Sequence, residues 1–448
     1  SDRVKNPEGY SLFVSEEGVK IIASTQKGLF YARKTLEQLI MQYGNQLPYV
    51  SVIDEPRYEH RGFMLDCARH FWTVEEIKKM VEAAAMFKMN KFHWHLSDDQ
   101  GFRIQIEKYP LLTGIGARRK GDNFGRILVN DKVHSGYYTK DQVKEIVDFC
   151  SERYIDVIPE IDMPGHITAV LAAYPEYSCF NERPEVANKN GIFKNVLCAG
   201  KEKTFRFVCD ILEEIAELFP YEYIHIGSDE IKTANWKNCP HCQKKMAEND
   251  LVNEIQLQAY FENRVINFLK SKGKKTILWN DALYSGKIDD SATIQFWLDR
   301  KALWQKWANR GNRIIVSDFF HYYADYPFEM TPLKKTYEYN PSDNKALDEI
   351  GRRNIAGVEA AIWTEFIDNF EKLSFQCYPR FSAIAETGWT NPQRKNYIDF
   401  ASRFVAVKEK LSEKGIEAAD ISFWQPDTKK RLKGTLGFAV KLIPKKER

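Results

Sequence analysis

Nowhere in the 448 residues is there an apolar run of the roughly 18 residues that a membrane-spanning helix requires, so such a helix is excluded. Neither sign of charge dominates: 65 Lys and Arg against 62 Asp and Glu leave a net charge of +3. That balance gives no electrostatic footprint for a nucleic acid or an anionic membrane surface. Phosphate-cradling loops are missing, since neither GxGxxG nor GxxxxGK[ST] occurs. There is no Gly-x-Ser-x-Gly elbow to present a serine nucleophile, no repeat of fixed period and no low-complexity stretch. Eight cysteines are too few for a disulfide scaffold.

What remains is a globular balance, 44% hydrophobic and 28% charged, with 13% aromatics that include 10 Trp and 22 Tyr. In a nearly neutral chain, that aromatic excess suits an enzyme or a binder of flat apolar faces, of which sugar rings are one example. The length fits one large α/β barrel with a small appendage. Cys67, Cys150, Cys209 and Cys377 lie in apolar or helical patterns and read as buried thiols. Cys179 and Cys198 bracket a polar loop and are candidates for a bridge in an oxidising compartment. Cys239-Pro-His-Cys242 has CxxC spacing, but no second CxxC completes a zinc set, so free thiols or a local disulfide are preferred there. Ser1-Asp2-Arg3 is not a signal peptide, and a removed leader would leave the same start.

Residues 9–24 predict two short strands, and 28–42 carry the apolar spacing of a helix. They suggest a small α/β accessory unit over 1–55, closed by the turn-rich Asp54-Glu55-Pro56. Beyond it, eight short apolar runs alternate with amphipathic stretches. The runs are 62–65, 91–96, 155–158, 223–226, 276–279, 293–297, 313–316 and 358–363. The helical stretches include 74–88, 140–154, 203–219, 253–272, 300–309 and 372–386. Alternation of this kind predicts a parallel sheet, and eight units predict a closed (β/α)8 TIM barrel over 56–424. An open doubly wound sheet would favour a glycine-rich loop after its first strand, which is not there. The Lys-rich tail, 425–448, reads as a surface-docked segment.

Each predicted strand ends in polar or aromatic residues. In order they are Asp66 and Arg69; Ser97-Asp98-Asp99; Glu160, Asp162 and His166; Asp229-Glu230; Trp279-Asn280-Asp281; Trp297; Tyr322, Tyr323 and Asp325; and Trp363 with Glu365. In a barrel these ends share one face, the face that carries the active site. Several carboxylates without a serine elbow or phosphate loop suggest acid/base hydrolysis, and glycoside cleavage needs a carboxylic acid to protonate the leaving oxygen. Asp229 and Glu230 are neighbours, however, whereas an ordinary retaining pair flanks the sugar with carboxyls about 5–5.5 Å apart. Neighbours reach a substrate from a similar direction. One can be the acid, but the other is badly placed to attack the opposite ring face. A 2-acetamido group on the substrate removes the difficulty, because its own carbonyl oxygen can attack.

Four segments carry a resemblance. They are His60-Arg-Gly-Phe-Met-Leu-Asp-Cys-Ala-Arg-His-Phe71, Phe92-His-Trp-His-Leu-Ser-Asp-Asp-Gln100, Pro159-Glu-Ile-Asp-Met-Pro-Gly-His166 and His225-Ile-Gly-Ser-Asp-Glu230. Together they closely resemble the β-N-acetylhexosaminidases of glycoside hydrolase family 20, from about Arg57 to Trp389. Substrate-assisted cleavage is the known exception that this family represents. The resemblance implies Glu230 as general acid/base, Asp229 as the group that orients the acetamido arm, and Tyr323 as donor to its carbonyl oxygen. Trp279, Trp297 and Trp363 would wall the acetamido pocket. Arg69, Glu365 and Asp325 would hold ring hydroxyls, and Asp98, Asp162 and His166 would form the polar support around the acid. The substrate implied is a glycan with a terminal β-linked N-acetylhexosamine, without a cofactor or metal, and the location implied is secreted, periplasmic or cell-surface. The N-terminal segment resembles the family's small α/β accessory domain but is shorter than usual.

Three rivals stand beside this reading. His93 and His95 form an HxH pair on the second predicted strand, as in metal-dependent barrel amidohydrolases. Two histidines are too few ligands, and packing inside the barrel is the preferred account. A non-catalytic sugar binder is the second rival. The third stays within the family: release of a disaccharide, or of a sulfated sugar, against which the Glu365 carboxylate speaks.

Overall fold

Residues 4–299 and 301–442 are described by the computed structural model. The N-terminal unit is an antiparallel sheet in which Tyr10–Ser15 lies between Gly18–Ala23 and Val50–Asp54. The helix Gln26–Tyr43 begins at Thr25, whose side chain accepts the Gly28 N–H. Tyr31 and Ala32 of this helix pack with Tyr10, Leu12 and Trp389 into a small core of their own. Trp389 comes from the last barrel helix and also donates its indole N–H to Asp54 (2.7 Å), so the unit is docked and not merely tethered. The third strand, Val50–Asp54, goes beyond the sequence expectation of two. Its alternating Val-Ser-Val-Ile-Asp is only five residues long and abuts a turn, so its partner strand decides its conformation.

Eight parallel strands close a barrel. In chain order they are His60–Asp66, Lys91–His95, Asp156–Glu160, Tyr223–His225, Lys275–Trp279, Thr293–Phe296, Ile314–Val316 and Ile355–Ile362. Each coincides with one of the eight apolar runs. The eighth strand pairs with the first from Gly357↔His60 to Ile362↔Leu65 and completes the ring. Alternate residues such as Phe63, Leu65, Phe92, Trp94, Leu278 and Ile294 face the surrounding helices in one continuous apolar cluster. Two of those helices start with capping boxes, Thr73 with Glu76 and Thr139 with Gln142. Among the described residues no helix is long and apolar enough to cross a membrane.

The barrel interior is layered. Ile158, Tyr223, Ile277, Ile315 and Ala356 form an apolar plug. Above it the filling becomes polar: Glu359 lies between His60 (2.7 Å) and His93 (2.8 Å) and accepts from Gln295 (2.6 Å). Gly62 is a consequence, since a Cβ there would stand 2.4 Å from the Glu359 carboxylate.

Two predicted elements differ in detail. The stretch 372–386 is two helices, Phe370–Cys377 and Arg380–Trp389, because Pro379 between them has no N–H to continue the ladder. The tail contains a helix, Thr428–Leu442, whose Phe438 packs on Tyr326 and Phe366 with ring centroids 5.7 and 5.8 Å apart. Cys209 is only partly buried, unlike the buried Cys67, Cys150 and Cys377. Cys179 and Cys198, the candidates for a bridge, are free thiols.

Candidate active site

The strand ends meet in a cavity of about 170 Å³ lined by Arg69, His166, Asp229, Glu230, Trp279, Trp297, Tyr323, Asp325, Trp363 and Glu365. Phe319, Tyr326 and Phe366 complete the lining. Asp98 and Asp162 are fully buried and do not line it; they stand behind His166 and Asp229. Tyr322 and Tyr323, adjacent in sequence, part company. Tyr322 is buried against Tyr339, whereas Tyr323 stacks near Trp297 at 6.4 Å and enters the cavity.

The fourth strand stops at His225, and the chain then takes an unusual path. Gly227, Ser228 and Glu230 all have positive φ, at 69°, 85° and 51°. Only glycine fits at 227, because a Cβ would lie 1.7 Å from Asp162 Oδ1. Ser228 is held in its strained conformation by its N–H to Asp162 (3.3 Å) and by a hydroxyl bond to Glu262. Burial lifts the Glu262 carboxyl to about 8, so near neutral pH it carries a proton and sits in the core without an uncompensated charge. The kinked loop leaves the Asp229 and Glu230 side chains aimed the same way: His166 Nε2 is 3.6 Å from Asp229 and 3.7 Å from Glu230. Gly227→Ala is expected to lower unfolding stability by about 1–3 kcal/mol from backbone strain, with the collision in addition. Urea denaturation measures it, and an unchanged midpoint would contradict the close approach.

Arg69 is fixed on three sides: Nε to Gln100 (2.9 Å), an Nη to Asp98 (2.6 Å) and an Nη to Asp66 (3.4 Å). Burial works against its charge, but Asp98, Glu365, Asp66 and Asp99 outweigh burial and hold the guanidinium firmly protonated. Asp66 also accepts the Thr364 N–H (3.0 Å), which ties the first strand end to the eighth. His166 bridges Asp98 (3.2 Å) and Asp99 (3.1 Å) through Nδ1. Burial opposes its cation too, yet Asp98 and Asp229 raise its pKa well above the ordinary imidazole range.

Below these groups lies a chain of imidazoles and carboxylates. Glu160 accepts from the Trp279 indole (2.9 Å) and pairs with His95, and its carboxylate lies 2.9 Å from His93 Nε2 and 3.1 Å from His225 Nδ1. His95 continues to Asp98 at 3.1 Å. His93 is pushed up to about 9, with burial opposed by Glu359 and Glu160. Both histidines of the HxH pair therefore spend their nitrogens on carboxylates, while Trp94 packs outward near Tyr138 at 4.7 Å. Breaking one partner of such a buried set leaves an uncompensated charge.

Burial pushes the Asp229 carboxyl up to about 7; His166 pulls it down, and Asp281 and Glu230 add to the rise. Asp281 stands at a predicted strand end, where the sequence alone gives it no role. It accepts the Trp297 indole N–H (2.8 Å), faces the Glu230 backbone N–H, and is lifted by burial to about 6. From the end of the fifth strand it thus ties the sixth-strand rim to the acidic loop. Phe438 opens the apolar Phe-Ala-Val-Lys-Leu-Ile run of the Lys-rich tail, but nothing in that run signals that its ring covers two cavity-lining aromatics. Asp229 Oδ1 and Asp325 Oδ1 are buried and lack a hydrogen-bond partner among the described residues, so each is an acceptor available to a cavity occupant.

The arrangement can therefore protonate from one rim, stabilise positive charge beside it, and enclose a small planar group between indoles. Residues 58–392 match glycosyl hydrolase family 20, catalytic domain, and residues 1–55 match glycosyl hydrolase family 20, domain 2. A β-hexosaminidase of Porphyromonas gingivalis is 39% identical over 431 residues, which is 91% of this chain and 54% of that protein. A β-hexosaminidase of Vibrio furnissii is 36% identical, covering 85% of this chain and 65% of that protein. The chain therefore spans between half and two thirds of these relatives. The solved exo-β-N-acetylglucosaminidase of Vibrio harveyi in complex with N-acetylglucosamine superposes with a TM-score of 0.83 at 32% identity, covering 93% of this chain and 69% of that one. By this match over most of its length, the chain belongs to glycosyl hydrolase family 20.

Proposed function

We propose that this protein removes terminal, non-reducing β-linked N-acetylglucosamine or N-acetylgalactosamine from glycans, with retention of configuration and with the substrate's 2-acetamido oxygen as nucleophile. The observation that carries the reading is that Asp229 and Glu230 approach one and the same imidazole nitrogen, so both stand on one side of the cavity. A flanking pair would not do so. The family membership and the β-hexosaminidase names of the relatives point the same way.

In this mechanism Glu230 gives its proton to the glycosidic oxygen while the acetamido carbonyl oxygen attacks C1 from the opposite face. The C1–O bond breaks, the aglycone leaves as an alcohol, and a cyclic oxazolinium forms. Asp229 accepts the amide N–H and balances the positive charge; the Tyr323 hydroxyl donates to the carbonyl oxygen and orients it. Water then attacks C1, Glu230 takes its proton, and the ring reopens with the original configuration. A well-held internal nucleophile is worth an effective molarity of about 10⁵–10⁸ M. Trp279, Trp297 and Trp363 enclose the methyl end of the arm, and Arg69, Asp325 and Glu365 take the ring hydroxyls. The small cavity suits one neutral sugar better than a disaccharide.

Incubation with a panel of defined β-linked glycans, with products sized, tests this reading. Release of a single N-acetylhexosamine is expected; release of disaccharides, or inert substrates with retained binding, would overturn it. A pH profile adds detail. Asp229 must be ionised to balance the oxazolinium, so kcat/KM should fall as pH drops through about 7. His166 lowers the Asp229 pKa, so His166→Ala should move that acid limb to higher pH. A limb that stays in place would contradict the coupling.

A further inference from the structure

We infer that Cys179, Cys198, Cys239 and Cys242 form a tetrathiolate zinc site that clamps together the two loops bearing His166 and the Asp229-Glu230 pair. This is separate from the proposed hydrolysis and stands without it. The four sulfurs converge from two distant segments, and all lie within 4.8 Å of one another. The separations are 3.6 Å for Cys198 to Cys242, 3.7 Å for Cys198 to Cys239 and 3.9 Å for Cys179 to Cys242. Zn–S bonds of about 2.3 Å in a tetrahedron set neighbouring sulfurs about 3.8 Å apart. Disulfide sulfurs would be about 2.0 Å apart. Buried thiols that act only as small hydrophobes have no reason to gather four at once with their sulfurs facing each other.

The surroundings fit an anionic tetrathiolate. Three of the four cysteines have no exposed surface, and Cys179 has 6%. The backbone N–H of Gly200 faces the Cys198 sulfur. The Lys201 ammonium bonds the carbonyl oxygens of Glu176 (3.3 Å) and Ser178 (2.5 Å), which lie just before Cys179. No carboxylate or imidazole belongs to the quartet, and a closed all-sulfur set is the pattern of a structural zinc site, with no position open for catalysis.

Its place in the fold gives the role. The Leu197 N–H bonds the Pro164 carbonyl (2.9 Å), two residues before His166. The Trp236 indole bonds the Leu197 carbonyl (2.8 Å) from the short helix Ala234–Asn238, which follows Glu230 by four residues. The metal would cross-link these two loops immediately behind the cavity rim. The CxxC supplies two ligands, and the other pair comes from the preceding βα loop and not from a second CxxC. That is why spacing alone argued against zinc.

The test is metal content of the purified full chain, by plasma mass spectrometry, together with thiol titration in denaturant. One zinc per chain is expected, released in step with a mercurial titration of the thiols. Cobalt-grown protein should show intense visible d–d bands and a thiolate-to-cobalt charge-transfer band, which do not require any variant to fold. The double variant Cys198→Ser/Cys239→Ser should lose the zinc and unfold at lower temperature; Cys67→Ser should keep it. Eight titratable thiols without metal, only four because two disulfides have formed, or iron in place of zinc would each overturn the proposal.

Discussion

Glu230→Gln is expected to lower kcat by roughly 10²–10⁴-fold on an unactivated glycan, the range a positioned general acid contributes, while KM changes little. Glutamine has the same shape and fills the same corner beside His166, so binding should survive. The loss should depend on the leaving group. A phenol of low pKa departs as its anion without needing a proton, so dinitrophenyl substrates should suffer less than natural linkages in the first step. The second step still needs a base to activate water. Azide needs none, and should restore turnover of the activated substrate and yield a β-configured glycosyl azide. An equal loss on all leaving groups, without azide rescue, would show that Glu230 is not the proton donor.

Asp229→Asn should cost about 10²–10³ in kcat/KM, comparable with removing a preorganised group that stabilises transition-state charge. An asparagine oxygen can still accept the amide N–H but carries no charge to balance the oxazolinium. The same variant should lose the acid limb near pH 7, because the group that titrates there is gone. It should also lose affinity, by a similar factor, for a thiazoline mimic of the intermediate, which binds protonated at its ring nitrogen against the Asp229 carboxylate. Full activity in Asp229→Asn would remove the substrate-assisted mechanism altogether.

Much of this architecture is legible in the sequence for a physical reason. Parallel barrel strands are covered on the outside by helices and filled on the inside by side chains, so they read as short apolar runs with polar ends. The placement of Trp279, Trp297 and Trp363 follows from that pattern once the strands are recognised. What stays hidden depends on contacts across sequence distance. Val50–Asp54 needs Tyr10–Ser15 to become a strand. Asp281 earns its position only because the backbone of Glu230 folds opposite it. Phe438 stands in a short apolar run whose partner on the barrel no local pattern names, and the cysteine quartet draws its members from two loops that no spacing rule connects. Gly227 is an intermediate case: the glycine is plain to see, but its necessity comes from Asp162 on the neighbouring strand end.

The central claim, that the substrate's own N-acyl oxygen attacks C1 while Asp229 steadies the arm, is tested most directly by a fluorination series. Aryl β-glycosides carrying acetamido, monofluoro-, difluoro- and trifluoroacetamido groups differ little in size but decline steadily in carbonyl nucleophilicity. The account predicts that kcat/KM falls progressively along the series, with a steep negative slope against fluorine count. A flat series, with the trifluoro compound cleaved as fast as the parent, would contradict it and place the nucleophile on the protein.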